Sequence, residues 1–250
     1  MNIYFLVEGK KTEIKVYPKW LSILIPELKR VNSFDEVVKN NYYMFSGNGF
    51  PSLLDNHLKN SILDINSQKK YDYFVICLDA DDMNVEERKN EIIQFMIDNK
   101  IRLNKHTKLE IVVQNKCFET WFLGNPRIFK ANPSSEFLKE CVLFYNIKIN
   151  DPELMGKLAG YENSTSDFHT TYLREMLAER NVRYSKNNPN EVTEEYFLNE
   201  IIKRNDKTNH LPSFKYFIDF CKKIRNFEFQ IFLRFDVISR ARIFFGEFIQ

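Results

Sequence analysis

Glycine is scarce in this 250-residue chain, with seven in all, and neither a G-x-G-x-x-G nor a G-x-x-x-x-G-K-[ST] run occurs. That excludes a dinucleotide enzyme of the glycine-fingerprint kind and an ATPase with its own phosphate loop. The four cysteines, Cys77, Cys117, Cys141 and Cys221, lie far apart, with no C-x-x-C or Cys/His zinc spacing. Each has apolar neighbours, the pattern of small core residues in a reducing compartment. The histidines (His57, His106, His169, His210) are scattered and form no metal or nucleophile constellation. No apolar run approaches the roughly 20 residues of a membrane span. The basic, apolar, small-residue order of a signal peptide is also missing, so a cytoplasmic location is expected. The formal net charge is only +2, so any polyanion site has to be local.

What is present is a globular composition, 44% hydrophobic and 28% charged, enough for a substantial core. The first half alternates strands and helices. Ile3–Val7 is a short continuous apolar run, as in a strand covered on both faces. Thr12 reads as the N-cap of a helix reaching about Leu28. Tyr42–Phe45 reads as a strand and Leu53–Ile65 as a helix, with "SGNGFPS" (Ser46–Ser52) a turn between them. Tyr73–Asp79 is the strongest strand. Asn84 and Glu87 predict a capping box for the next helix, Leu109–Val113 predicts a fourth strand, and "CFETWFL" follows as helix. Such alternation implies parallel strands joined by right-handed crossovers. Beyond Pro126, loop-like stretches separate helical segments such as Phe168–Arg180, Thr193–Arg204 and Ser213–Ile224. The expected organisation is an α/β domain over residues 1–125, a mostly parallel sheet flanked by helices, with a mainly helical region over 126–250 packed on it.

Acids stand where the buried strands stop. The first strand ends at Glu8 in "FLVEGKKTE", and the strongest ends in "VICLDADD", giving Asp79, Asp81 and Asp82. In an extended chain residues two apart project to one side, so Asp79 and Asp81 are expected to face one spot. Close carboxylates repel unless a proton or cation offsets them. Magnesium, a hard ion that takes one or two carboxylates plus water and phosphate oxygens, suits them, and manganese can substitute. Ligands of open parallel sheets gather at the carboxyl ends of the strands, where both acidic sites lie. The plainer alternative is that these acids cap helices or stay in water. Glu13, in a first helical turn, is favoured there by about 0.3–1 kcal/mol without any metal role. Glu119 lies between Phe118 and Trp121, and an acid so flanked needs a partner or a shifted pKa. Trp121 and Phe122 read as core rather than as base-stacking rings.

"VEGKKTE" followed by "LDADD" resembles the TOPRIM (Rossmann-like) fold, with its glutamate after strand one and Asp-x-Asp after a later strand. "NKCFETWFLGN" (Asn115–Asn125) resembles a Cys-Phe-Glu segment of the RloB-like proteins of bacterial defence loci. The OLD family and the PARIS effector are related nucleases, and "LPSFKYF" (Leu211–Phe217) is a weaker echo of some of these proteins. The resemblance implies metal ligation by Glu8, Glu13, Asp79, Asp81 and Glu119, with Glu8 and Glu119 also catalytic. It departs from the pattern twice. Glu13 stands five positions after Glu8 where OLD proteins place an acid at four, and Lys116 replaces a common proline. Lys116 is a candidate phosphate contact, as are Lys10 and Lys11.

The implied activity is magnesium-dependent hydrolysis of nucleic-acid phosphodiesters by an endonuclease, a toxic effector of anti-phage defence. RNA, including tRNA, is slightly favoured over DNA. The partners are the nucleic-acid substrate and an ATPase supplied in trans, with a homodimer left open. The alternative is a non-catalytic or partner-gated subunit of such a complex. A haloacid-dehalogenase-like phosphatase also uses Asp-x-Asp after a strand, but on its first strand, which here ends in glutamate. The last fifty residues are locally basic (Lys203, Arg204, Lys207, Lys215, Lys222, Lys223, Arg225, Arg234, Arg240, Arg242) with interleaved aromatics. They read either as a phosphate-contacting surface or as the solvated face of a helix.

Overall fold

The computed structural model describes residues 1–226. Its centre is an all-parallel sheet of five strands: β1 (Asn2–Val7), β2 (Lys29–Arg30), β3 (Asn41–Ser46), β4 (Tyr73–Asp79) and β5 (Lys108–Gln114). Their order is β2-β3-β1-β4-β5. The helices are α1 (Glu13–Leu24), α2 (Lys59–Gln68), α3 (Val85–Asp98), α4 (Phe118–Phe122), α5 (Glu136–Phe144), α6 (Thr165–Ala178) and α7 (Glu195–Thr208). Residues 212–226 are also helical. The fold is α/β and Rossmann-like, with a helical C-terminal part. No helix among the described residues is long and apolar enough to cross a membrane.

Side-chain alternation sorts each central strand onto two cores. Ile3, Phe5 and Val7 of β1 join Val75 and Cys77 of β4 under Val16, Trp20 and Leu21 of α1. Tyr4 and Leu6 join Phe74, Ile76 and Leu78 under Leu58, Ile62 and Ile92, which α2, its preceding turn and α3 supply. Both faces are covered, which is why β1 and β4 read as continuous apolar runs. The chain runs from β1 out to the edge strand β2, steps back to β3, then crosses past β1 to β4. The topological switch point therefore lies between β1 and β4, which pair directly, Val7 opposite Cys77.

Several ends differ from the sequence expectations. α1 stops at Leu24 rather than Leu28, because Pro26 disfavours helical backbone at Ile25. Thr12 makes no side-chain cap bond, its hydroxyl donating instead to the Lys186 carbonyl at 3.4 Å. The helix expected over Leu53–Ile65 begins as a π-helical turn, Leu53–Leu58, and continues as α2. The two-residue β2 had no sequence signal. The Asn84/Glu87 capping box is present, and all four cysteines are buried free thiols.

The C-terminal helices close the α1 face. Trp121 and Phe122 of α4, Phe168 of α6, and Phe214 and Phe217 are buried in one core with Val7 and Trp20. Trp121 and Phe122 are thus packing residues. A buried polar network locks this arrangement. Glu153 accepts from the Ser213 hydroxyl at 2.6 Å and backbone N–H at 3.1 Å, and from the Asn115 amide at 3.3 Å. Ser213 in turn accepts the Trp121 indole N–H at 2.7 Å. The carboxylate thereby caps the helix at 212–226, and "LPSFKYF" is its capped start.

Candidate active site

β1 and β4 deliver their terminal acids side by side because the strands are neighbours in register. The Glu8 N–H donates to the Cys77 carbonyl at 2.8 Å, and the Asp79 N–H donates to Glu8 Oε2 at 2.9 Å. The "SGNG" turn lies against them, with the Gly49 N–H on the Glu8 carbonyl at 2.9 Å. Burial raises the Glu8 pKa, and Asp81 adds to the rise, while the Asp79 N–H, Arg88 and the Phe50 N–H oppose it.

Asp79 is the hub. Burial pushes its pKa well up, and Glu8, Glu13, Glu119 and Asp81 all push the same way. Its Oδ1 is buried and accepts no hydrogen bond. The five acids expected from the sequence therefore share one rim of the sheet, around Asp79. They do not form a ready cage: among the described residues no three acidic, histidine or cysteine side chains converge closely enough to hold a metal ion. The donor chemistry still fits magnesium, which needs only one or two carboxylates alongside water and phosphate. An orphaned buried carboxylate oxygen among like charges is the kind of group that such an ion satisfies.

Asp81 reaches the rim by a different path from the one expected. The strand breaks at Asp79, and Asp81 takes a left-handed φ of +53° rather than an extended one. Its N–H donates to the Lys116 carbonyl at 2.8 Å. Its carboxylate accepts the Ser166 hydroxyl at 3.1 Å and lies 3.6 Å from the Arg88 guanidinium. Lys116 is also left-handed, at φ +69°. Two non-glycine residues in that region, bonded to each other, mark a constrained corner of the kind found at functional sites.

Glu13 explains Gly9. A Cβ on Gly9 would stand 2.0 Å from a Glu13 carboxylate oxygen, so the glycine of "VEGKKTE" is where that carboxylate rests. The five-residue spacing still brings Glu13 to the rim, because α1 starts at once and turns it back. Burial raises its pKa to about 7, assisted by Glu119 and Glu8 and opposed by its own backbone N–H and by Lys186.

Glu119, 1% exposed, sits in the first turn of α4. It accepts the Tyr184 hydroxyl at 2.8 Å and lies 3.9 Å from the Lys186 ammonium. Its attraction is the main cause holding the Lys186 pKa above the ordinary lysine value. Lys116, Lys10 and Lys11 make no ion pair with the acids among the described residues, whereas Lys186 and Arg88 do. Neither of these two was legible in the sequence. Lys186 belongs to a polar turn and Arg88 to an amphipathic helix, and only packing brings them here. His169 is a buried structural group, bonded to the Thr120 hydroxyl at 2.8 Å and the Met155 carbonyl at 3.0 Å. Burial lowers its pKa to about 4.

Of the basic C-terminal residues, Lys203 pairs with Glu200, Lys215 with Asp219, and Arg204 is buried against the Gly124 and Asn150 carbonyls. Arg234, Arg240, Arg242 and Phe227, Phe229, Phe232 and Phe235 lie outside the described residues. Compared with family models, with curated proteins and with solved structures, the chain matches none.

Proposed function

We propose that the chain is a magnesium-dependent nuclease of TOPRIM type that hydrolyses nucleic-acid phosphodiesters. The observation that carries this reading is the gathering of Glu8, Glu13, Asp81 and Glu119 around the orphaned Asp79 carboxylate at the switch point of a parallel sheet. Asp79, with Glu8 and Asp81, would hold the ion. Bound there, such an ion supplies Lewis-acid activation of water and charge stabilisation at phosphorus, and manganese would serve as well.

The chain's own groups do the rest. Lys186, an ammonium on a flexible stem, offers a point charge to a non-bridging phosphate oxygen. Glu119 and Tyr184 aim it, since the Tyr184 hydroxyl occupies Glu119 Oε1 and fixes the carboxylate's orientation. Glu13, whose pKa stands at about 7, can accept or release a proton near neutral pH. Arg88 neutralises Asp81 from below, buried against the Phe50 ring at 4.3 Å.

By the motif resemblance, the biological role is a toxic effector of anti-phage defence, with RNA such as tRNA favoured over DNA. One feature favours the alternative, a partner-gated subunit of an ATPase-containing complex. Two cations already lie against the acids, and among the described residues no cage is preformed, so a rearrangement has to precede ion binding.

The test is incubation of the purified chain with tRNA, single-stranded DNA and plasmid DNA, with magnesium or manganese, beside Glu8→Ala and Asp79→Asn. Cleavage by the wild type and a loss of about a hundredfold or more in each variant is expected. Equal cleavage by all three proteins overturns the site. Cleavage that appears only with a companion ATPase selects the gated reading.

A further inference from the structure

The turn at residues 184–188 has two sides. Lys186 faces the acids. On its other side Tyr184, Ser185 and Asn188 line a cavity of about 730 Å³, together with Asn181, Arg174 of α6 and Arg183. Paired backbone bonds between Ser185 and Asn188, at 3.2 and 2.9 Å, hold the turn. The turn is docked on α1 through Thr12 and through Lys15, whose ammonium donates to the Asn187 carbonyl. Tyr184 belongs to both sides, because it lines the cavity while its hydroxyl reaches Glu119. The cavity and the acid rim are therefore separated by one side chain.

Among the described residues the lining carries two guanidinium groups and no carboxylate. Arg174 and Arg183 are exposed, and among the described residues neither guanidinium has a hydrogen bond or ion pair. Four other arginines are used, Arg88 on Asp81 and Glu91, Arg127 on Glu200, and Arg180 and Arg204 on carbonyls, while Arg30, Arg102 and Arg225 also have no such partner among the described residues but line no shared cavity with one another. Two unspent planar forks opening on one concavity are suited to a phosphate, which guanidinium groups bind through paired N–H donors. Asn181 and Asn188 add amides that can both donate and accept, as recognition of a base edge requires. The volume falls within the roughly 300–1,000 Å³ of small-molecule sites.

We infer that this cavity seats the nucleotide adjoining the scissile phosphodiester. Its phosphate would lie between Arg174 and Arg183, and its sugar and base against Tyr184, Asn181 and Asn188. The inference rests on the nuclease reading and narrows its substrate class. A cavity of this size takes one nucleotide out of its stack, so the preferred substrate is a single strand or a loop rather than an uninterrupted duplex.

The experiment compares wild type with Arg174→Gln/Arg183→Gln, whose exposed and unpaired side chains can be changed without unfolding the chain; an unchanged melting temperature checks this. Binding of 5′-AMP, of inorganic phosphate and of a short single-stranded RNA is measured with EDTA present, and cleavage of the same RNA with manganese. Expected are tighter binding of 5′-AMP than of phosphate, and RNA affinity reduced about tenfold or more in the double variant. The slope of log K against log salt should fall by about 0.7, from the one phosphate that is no longer neutralised. Phosphate binding as tight as 5′-AMP overturns the nucleotide seat. Cleavage with unchanged KM and RNA affinity in the double variant overturns the cavity and leaves the nuclease reading standing. Loss of 5′-AMP binding in the variant, with no cleavage by either protein even when a companion ATPase is added, supports the cavity and ends the nuclease reading.

Discussion

Asp79→Asn should separate stability from activity. The wild-type carboxylate has a buried oxygen with no hydrogen-bond partner and is opposed electrostatically by Glu8, Glu13, Glu119 and Asp81. An unsatisfied buried acceptor costs about 1–3 kcal/mol, and the repulsion adds to it. The amide is the same size, carries no charge, and can donate to a neighbouring carboxylate. The variant is therefore expected to be more stable by about 1–3 kcal/mol without metal, which is roughly 2 to 12 °C in melting temperature for a chain of this size. Manganese should act in the opposite sense. At a hundredfold excess over its dissociation constant an ion that binds only the folded chain adds about 2.7 kcal/mol, an increment that Asp79→Asn should largely abolish. Differential scanning fluorimetry with EDTA and with manganese, beside the cleavage assay, reads both effects. A variant that melts lower than wild type in EDTA, or one that gains as much from manganese, would refute the claim that Asp79 is an unsatisfied ion ligand.

Glu153 supplies a pH test away from that site. Burial raises its pKa to about 7, against the pull of the Ser213 and Asn115 donors. A folded-state carboxyl that holds its proton more tightly contributes stability below about pH 4.3, lost as pH rises to about 7, on the order of 3 kcal/mol in all. Urea melts at pH 5 and pH 8 should show Glu153→Gln with a correspondingly smaller loss than wild type; equal losses would contradict it. Gly9→Ala should displace the Glu13 carboxylate, whose oxygen would be 2.0 Å from the new methyl. Because that carboxylate is a movable chain end, stability should change by less than about 1 kcal/mol. Cleavage should drop about as far as in Glu13→Gln; full activity in Gly9→Ala beside a crippled Glu13→Gln would show that the contact does not matter. Lys186→Met should lower cleavage about tenfold or more while leaving stability within about 1 kcal/mol, since the lysine is half exposed. A large loss of stability without loss of rate would make it a structural residue.

Much of the architecture was legible for a definite reason. A strand buried on both faces has to be apolar along its whole length, so Ile3–Val7 and Tyr73–Asp79 announced themselves, and the acids Glu8 and Asp79 mark where the apolar runs stop. Thr12 looked like an N-cap and starts the helix without its side chain capping it, because a tertiary partner, the Lys186 carbonyl, competes for its hydroxyl. The extended geometry expected of "DAD" failed at Asp81. There the backbone follows its hydrogen bond to the Lys116 carbonyl, a residue 35 positions away.

From its sequence alone the chain determined a parallel α/β sheet, the ends of its central strands, and which acids stand at those ends. These are properties of local pattern, of period two in strands and period 3.6 in helices. Only the tertiary structure decided that β1 and β4 are neighbours, that Glu119 and Glu13 turn toward Asp79, and that Arg88 and Lys186 answer their charge. Contacts between residues 65 to 85 positions apart leave no local periodicity, because strand order and helix docking are chosen by the burial of whole faces.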